Sequence, residues 1–117
     1  MNTLSGGNRQ KINLLLALMY DNPVLILDEP STGLDPLSLI HLKKHLLIEK
    51  DRGKKIIITT HIMSFVEEMA DHIVFLLDGK IYFDGALKKL IHECQTEKLE
   101  EAIAQILSSN GNVNKTN

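Results

Sequence analysis

Apolar positions along this chain change their period several times, and each change predicts a new element. After the opening "TLSGGNRQK", Ile12, Leu15, Leu16 and Met19 recur at helical spacing. The turn residues of "YDNP", ending at Pro23, stop that helix. Val24 to Leu27 ("VLIL") is a short unbroken apolar run between Pro23 and Pro30. Its length and flanks predict a strand buried on both faces, as in parallel sheets. Asp35 and Pro36 predict a helix start, the carboxylate as cap and the proline at the first helical position. This helix runs to about Lys50 and ends at "DRG", where Gly53 can take the left-handed conformation. Lys55 to Thr60 ("KIIITT") is a second, β-branched strand, and a short helix near Ser64 to Ala70 follows. "HIVFLL" and "KIYFDG", joined by Asp78-Gly79, form a hairpin signal. "ALKKLIHEC" and "EKLEEAIAQIL" read as one or two amphipathic helices, and the asparagine-rich "SSNGNVNKTN" as a disordered tail. Alternating helices and strands predict an α/β fold with a mainly parallel sheet, flanking helices and a C-terminal hairpin.

Composition narrows this picture only a little. The 117 residues suffice for one domain with a modest core, and 44% hydrophobic with 24% charged residues is ordinary for a globular chain. A formal charge of −2, with no lysine/arginine block longer than two, gives nucleic-acid binding no electrostatic support. No apolar run approaches the roughly 20 residues that cross a bilayer, and no signal-peptide pattern leads the chain. Cys94 is the single cysteine, so no internal disulfide can form; a buried or idle thiol in a reducing compartment is the expectation, with the cytoplasm as the default location.

Candidate chemistry gathers at strand ends, where parallel sheets place their sites. "VLILDEP" puts Asp28 and Glu29 directly after a buried strand. Neighbours on an extended chain point in different directions, so one carboxylate can face a metal and the other a water. Phosphoryl transfer needs that division of labour. Two solvated loop carboxylates are an equally good reading of the pair alone. "ITTHIM" places His61 at the end of the second strand, where it could donate to a phosphate oxygen; on its own a strand-end histidine is more often structural. "PSTGLDP" (Pro30 to Pro36) is explained by turn chemistry alone.

In order, "LSGGN", "VLILDEP", "STGLDP" and "ITTHIM" resemble the second half of an ABC transporter ATP-binding subunit. The resemblance is strong from Leu4 to Gly85 and weak beyond. Leu4 to Asn8 looks like the signature loop, with Asn8 where glutamine is commoner. Leu27 to Glu29 looks like the end of the Walker B strand, Ser31 to Asp35 like the D-loop and His61 like the switch histidine. The fold implied is a partial P-loop NTPase core over residues 1–107, followed by a tail over 108–117. The resemblance implies that Asp28 holds Mg²⁺ through water, Glu29 polarises the attacking water and His61 contacts the γ-phosphate. It implies that Asp35 communicates across a dimer interface. Ser5, Gly6, Gly7 and Asn8 would contact ATP held by a second ATP-binding subunit. Backbone amides at a helix start, approached closely because of the glycines, suit that anion.

The family's phosphate cradle is a G-x-x-x-x-G-K-S/T loop, and these 117 residues contain none. Gly53-Lys54 and Gly79-Lys80 lack both the earlier glycine and the following hydroxyl residue. The glutamine loop is absent too. A start at Met1 just before the signature is what a truncated gene or fragment would give. The cradle strand belongs inside the family's sheet, so the chain alone is expected to be unstable and without measurable ATPase activity. Elsewhere, His41 and His45 lie four apart but lack the glutamate of a zinc-protease pair, and a solvated helix face is the better reading. His92 with Cys94 is a weaker pair still. Three functions follow in order. First is the ATP-hydrolysing subunit of a transporter, at the inner face of the membrane through a transmembrane permease; "DGKIYFDGALKKLI" tilts it toward export. Second is a non-catalytic subunit that lends its signature loop to a partner. Third is a soluble ABC ATPase of DNA repair or translation, for which no coiled-coil arm, second cassette or basic patch speaks.

Overall fold

The computed structural model describes residues 22–116, with side chains as far as residue 109. The described residues fall into two compact units divided after His61.

In the first unit, strand β1 (Val24–Asp28) leads through a loop into helix α1 (Pro36–Asp51), and the chain returns along strand β2 (Lys55–Thr59). The two strands pair in parallel, Val24 opposite Lys55, Ile26 opposite Ile57 and Asp28 opposite Thr59. A parallel pair needs such a helical crossover, because no tight turn can reverse the chain twice. Asp35 is the N-cap of α1, its Oδ1 accepting from the Ser38 N–H at 2.7 Å, and Pro36 follows at the first position, where its missing N–H costs nothing. At the other end Gly53 takes φ +91°, and its N–H donates to the Lys50 carbonyl at 2.9 Å.

The expectation that β1 is buried on both faces is corrected. Leu25 and Leu27 are buried, but Val24 is 43% and Ile26 69% exposed, and Ile57 across from Ile26 is 53% exposed. Side chains alternate along a strand, and this two-stranded sheet is covered on one face only.

Helix α1 buries Leu42 and Leu46 together with a charge, Glu49. Its carboxylate lies 2.5 Å from the Lys54 ammonium and 3.2 Å from Arg52, and the Glu49 carbonyl accepts from the Lys54 N–H at 3.2 Å. These contacts join the end of α1 to the start of β2. The Lys54 hydrogen bond, helped by the charges of Lys54, Arg52 and His45 and opposed by desolvation, holds Glu49 below the ordinary value of 4.5. A carboxylate that titrates lower when folded stabilises the fold above its unfolded value. That contribution is lost as pH falls from 4.5 through the lowered value. The stability gap between the native chain and Glu49→Gln is therefore expected to be widest near neutrality and to close in acid. Urea unfolding at several pH values measures it, and a gap independent of pH would contradict the ion pair.

In the second unit, helix α2 (Met63–Met69) precedes an antiparallel hairpin, β3 (His72–Leu77) and β4 (Lys80–Ala86), and then helices α3 (Leu87–Cys94) and α4 (Leu99–Thr116). The hairpin turns on Asp78 and Gly79, both at positive φ (49° and 75°), as the tight two-residue loop demands. Gln95 ends α3 in the left-handed conformation. Two helices therefore stand where the pattern allowed one or two. The Glu67 carboxylate of α2 accepts from the Leu99 N–H at 2.5 Å, satisfying an orphan amide at the start of α4. Ile73, Leu87, Leu90, Leu99, Ala102 and Ile103 form the buried cluster of this unit. The backbone of α4 continues to Thr116, into the stretch over 108–117 read above as a tail. The observed class is α/β, with a short parallel sheet and helices joined to an antiparallel hairpin.

Candidate functional site

Parallel pairing in register brings the C-terminal ends of β1 and β2 side by side, and with them the two motifs that end those strands. Asp28 and Thr59 are direct partners, and the Thr59 hydroxyl donates to Asp28 Oδ1. One residue on, the Glu29 N–H donates to the Thr59 carbonyl at 2.8 Å. Glu29 itself adopts φ +46°, a left-handed conformation that few residues other than glycine, asparagine and aspartate enter. Such strain persists where surrounding contacts over-determine it, and it collects at functional sites. The kink ends β1 and brings the Glu29 carboxylate to His61: Oε1 and Nδ1 lie 2.9 Å apart. An ionised carboxylate can only accept, so Nδ1 carries the hydrogen in this contact. The His61 ring is 79% exposed, whereas Glu29 is half-buried.

After Glu29 the chain folds into consecutive turns. The Thr32 N–H donates to the Glu29 carbonyl at 3.2 Å and the Leu34 N–H to the Ser31 carbonyl at 3.3 Å, with Gly33 at φ +78°. Pro30 is fully buried. Ser31 is buried as well, and among the described residues its hydroxyl has no hydrogen-bond partner. A buried hydroxyl left unpaired costs about 1–3 kcal/mol. Ser31→Ala is therefore expected to stabilise the isolated chain by roughly 1 kcal/mol, read from denaturant midpoints. Destabilisation would mean that the hydroxyl is satisfied.

The structure thus gathers Asp28, Glu29 and His61 at one end of the sheet. Asp35, seven residues along the chain from Asp28, is occupied in capping α1. Ser5, Gly6, Gly7 and Asn8 lie outside the described residues. Sequence reasoning missed Thr59, whose hydroxyl fixes the Asp28 carboxylate. The signal was available in "KIIITT", once that strand is paired in register with "VLILD". Among the described residues no three His, Cys, Asp or Glu side chains are placed to hold one metal ion by themselves. A dedicated protein cage is thus not on offer there, but Mg²⁺ beside phosphates keeps most of its waters and needs only one or two carboxylates. The hard oxygens of Asp28 and Glu29 fit that requirement.

The family model described as "AAA domain, putative AbiEii toxin, Type IV TA system" matches residues 1–67, and the chain belongs to that AAA-domain family. Its curated relatives are ABC transporter ATP-binding proteins, as the ordered motifs imply. The uncharacterized ABC transporter ATP-binding protein YhaQ of Bacillus subtilis is 39% identical over 87 residues, 74% of this chain and 29% of YhaQ. The histidine/lysine/arginine/ornithine transport ATP-binding protein HisP of Escherichia coli is 33% identical over 83% of this chain and 38% of HisP. The solved structure of an ATP-binding subunit of an ABC transporter superposes with a TM-score of 0.82 at 29% identity, over 89% of this chain and 44% of that one. The chain spans less than half the length of each of these relatives. Among the described residues no helix is long and apolar enough to cross a membrane.

Proposed function

We propose that this chain is the catalytic-carboxylate half of an ABC transporter's ATP-hydrolysing subunit. The observation that carries the reading is the convergence of Asp28, Glu29 and His61 where two parallel strands end together. Residues 1–107 would form the ATP-binding part. Glu29 orients and polarises the water that attacks the γ-phosphate, its own position held by the backbone bond to Thr59 and by His61. His61 uses Nδ1 on Glu29, which leaves Nε2 as the ring nitrogen that meets the γ-phosphate. Asp28 is held by Thr59 so that one carboxylate oxygen can serve the hydration shell of Mg²⁺. The cation, when bound, neutralises phosphate charge.

Ser5, Gly6, Gly7 and Asn8 would complete the ATP site of a second ATP-binding subunit, and Asp35 would sit near that interface as well as capping α1. A transmembrane permease would hold the pair at the inner face of the membrane. The export reading rests on the resemblance of the hairpin and following helices alone. Without a G-x-x-x-x-G-K-S/T loop in these 117 residues, ATP turnover requires that loop from elsewhere. The same observation favours the second reading, a subunit that only lends its signature loop. A chimera separates the two: residues 1–107 replace the matched part of HisP, and ATP hydrolysis is measured. Turnover that falls sharply on His61→Ala supports the catalytic reading. A chimera that binds ATP but never hydrolyses it leaves only the signature-lending role.

A further inference from the structure

Helix α1 carries apolar side chains on two faces, and it buries only one of them. Leu42 and Leu46 are buried together with Glu49. Leu37, Ile40, Leu47 and Ile48 lie on the opposite side of the helix, between 44% and 63% exposed. With Lys44 the order along this stripe is Leu37, Ile40, Lys44, Leu47, in alternating steps of three and four residues. Such spacing makes the seam of a coiled coil, here with one lysine at an inner position. Lys43 and Lys50 stand seven residues apart along one flank, where paired helices select each other by charge. His41 and Ile48 occupy the other flank. The acids of α1 do not offset these lysines. Glu49 is buried on the other face with Lys54 and Arg52, and Asp51 stands at the last position of the helix.

The charges select among possible occupants. A second copy would bring Lys44 onto its counterpart in a parallel pair, or one lysine flank onto the other in an antiparallel pair, and like charges so placed reject a partner. The chain's own apolar segment after Arg9 and Lys11 brings the same sign of charge. A bilayer would have to accept Lys44 in the middle of the apolar stripe, whereas interfacial helices keep their lysines on a separate polar face. We propose that the Leu37–Ile40–Leu47 stripe is the docking surface for an amphipathic helix of another protein, apolar along its edge and flanked by glutamate or aspartate. Its flanking acids meet Lys43 and Lys50, and one acid at an inner position meets Lys44. The surface uses none of Asp28, Glu29 and His61, so it goes beyond the ATPase reading.

The test titrates the full 117-residue chain into a labelled three-heptad helical peptide with leucine at its inner positions and glutamate on its flanks and opposite Lys44. Its glutamates keep the peptide from pairing with itself at neutral pH. Expected is a one-to-one complex that weakens as salt is added. The same peptide with lysine for each glutamate should bind about tenfold more weakly or worse, and Lys43→Glu with Lys50→Glu should reverse that preference. Leu37→Gln with Leu47→Gln should weaken capture about tenfold or more, yet leave the denaturant midpoint in place because both side chains are already exposed. A lowered midpoint would mean that the stripe is covered within the chain, and the proposal fails. Equal binding of the two peptides overturns it, as does binding of neither. A homodimer of the native chain that the two glutamines dissolve assigns the stripe to a second copy instead. Capture by phosphatidylglycerol vesicles without capture by the glutamate peptide assigns it to a membrane, and either result overturns the proposal.

Discussion

Glu29→Gln, in a chimera that completes the phosphate-binding loop, is expected to lower kcat about 10²–10⁴-fold with ATP affinity nearly unchanged. The amide keeps the shape and one acceptor oxygen of the carboxylate, so the His61 contact and the left-handed turn at position 29 can persist. What it loses is the negative charge that the proposed role uses to polarise water. A loss confined to kcat identifies a group that acts in the transition state. A rise in KM alone, with kcat intact, would show instead that Glu29 only helps to hold substrate. Single-turnover hydrolysis alongside ATP titration separates these outcomes.

Leu99→Ala is expected to cost the second unit about 2–5 kcal/mol, enough to unfold much of it at physiological temperature. Leu99 is 1% exposed and opens helix α4 within the cluster of Ile73, Leu87, Leu90, Ala102 and Ile103. Truncating it leaves a cavity that a helix start pinned by the Glu67 carboxylate cannot readily collapse. Circular dichroism against urea should show the hairpin and helices lost at much lower denaturant. A loss below 1 kcal/mol would mean that the cluster packs loosely.

The parts of the fold written in local chemistry were legible. Asp35-Pro36 and Gly53 mark the limits of α1 because capping and positive φ depend on neighbours only. Asp78-Gly79 marks the hairpin for the same reason. The site was legible in outline, since apolar runs ending in "DEP" and "THIM" must place their polar ends together if the strands pair in parallel. What escaped depends on contacts distant in sequence. The Thr59 hydroxyl reaches Asp28 across 31 residues, and Glu67 reaches the Leu99 amide across 32. Neither bond exists until register and packing are set. The one-sided burial of β1 escaped because a continuous run of Val, Leu and Ile reads the same whether one face or both are covered. Glu49 escaped because a glutamate near a helix end ordinarily faces water, and it is the contacts with Lys54, beyond the turn, and Arg52 that make its burial tolerable.

The most direct test measures ATP hydrolysis by the purified 117-residue chain, first alone and then after its residues 1–107 have been built into HisP. The account predicts no turnover by the chain alone, and turnover in the chimera that Glu29→Gln removes. Hydrolysis by the isolated chain, surviving Glu29→Gln, would contradict it, because the chemistry would then lie outside the strand ends where Asp28, Glu29 and His61 meet.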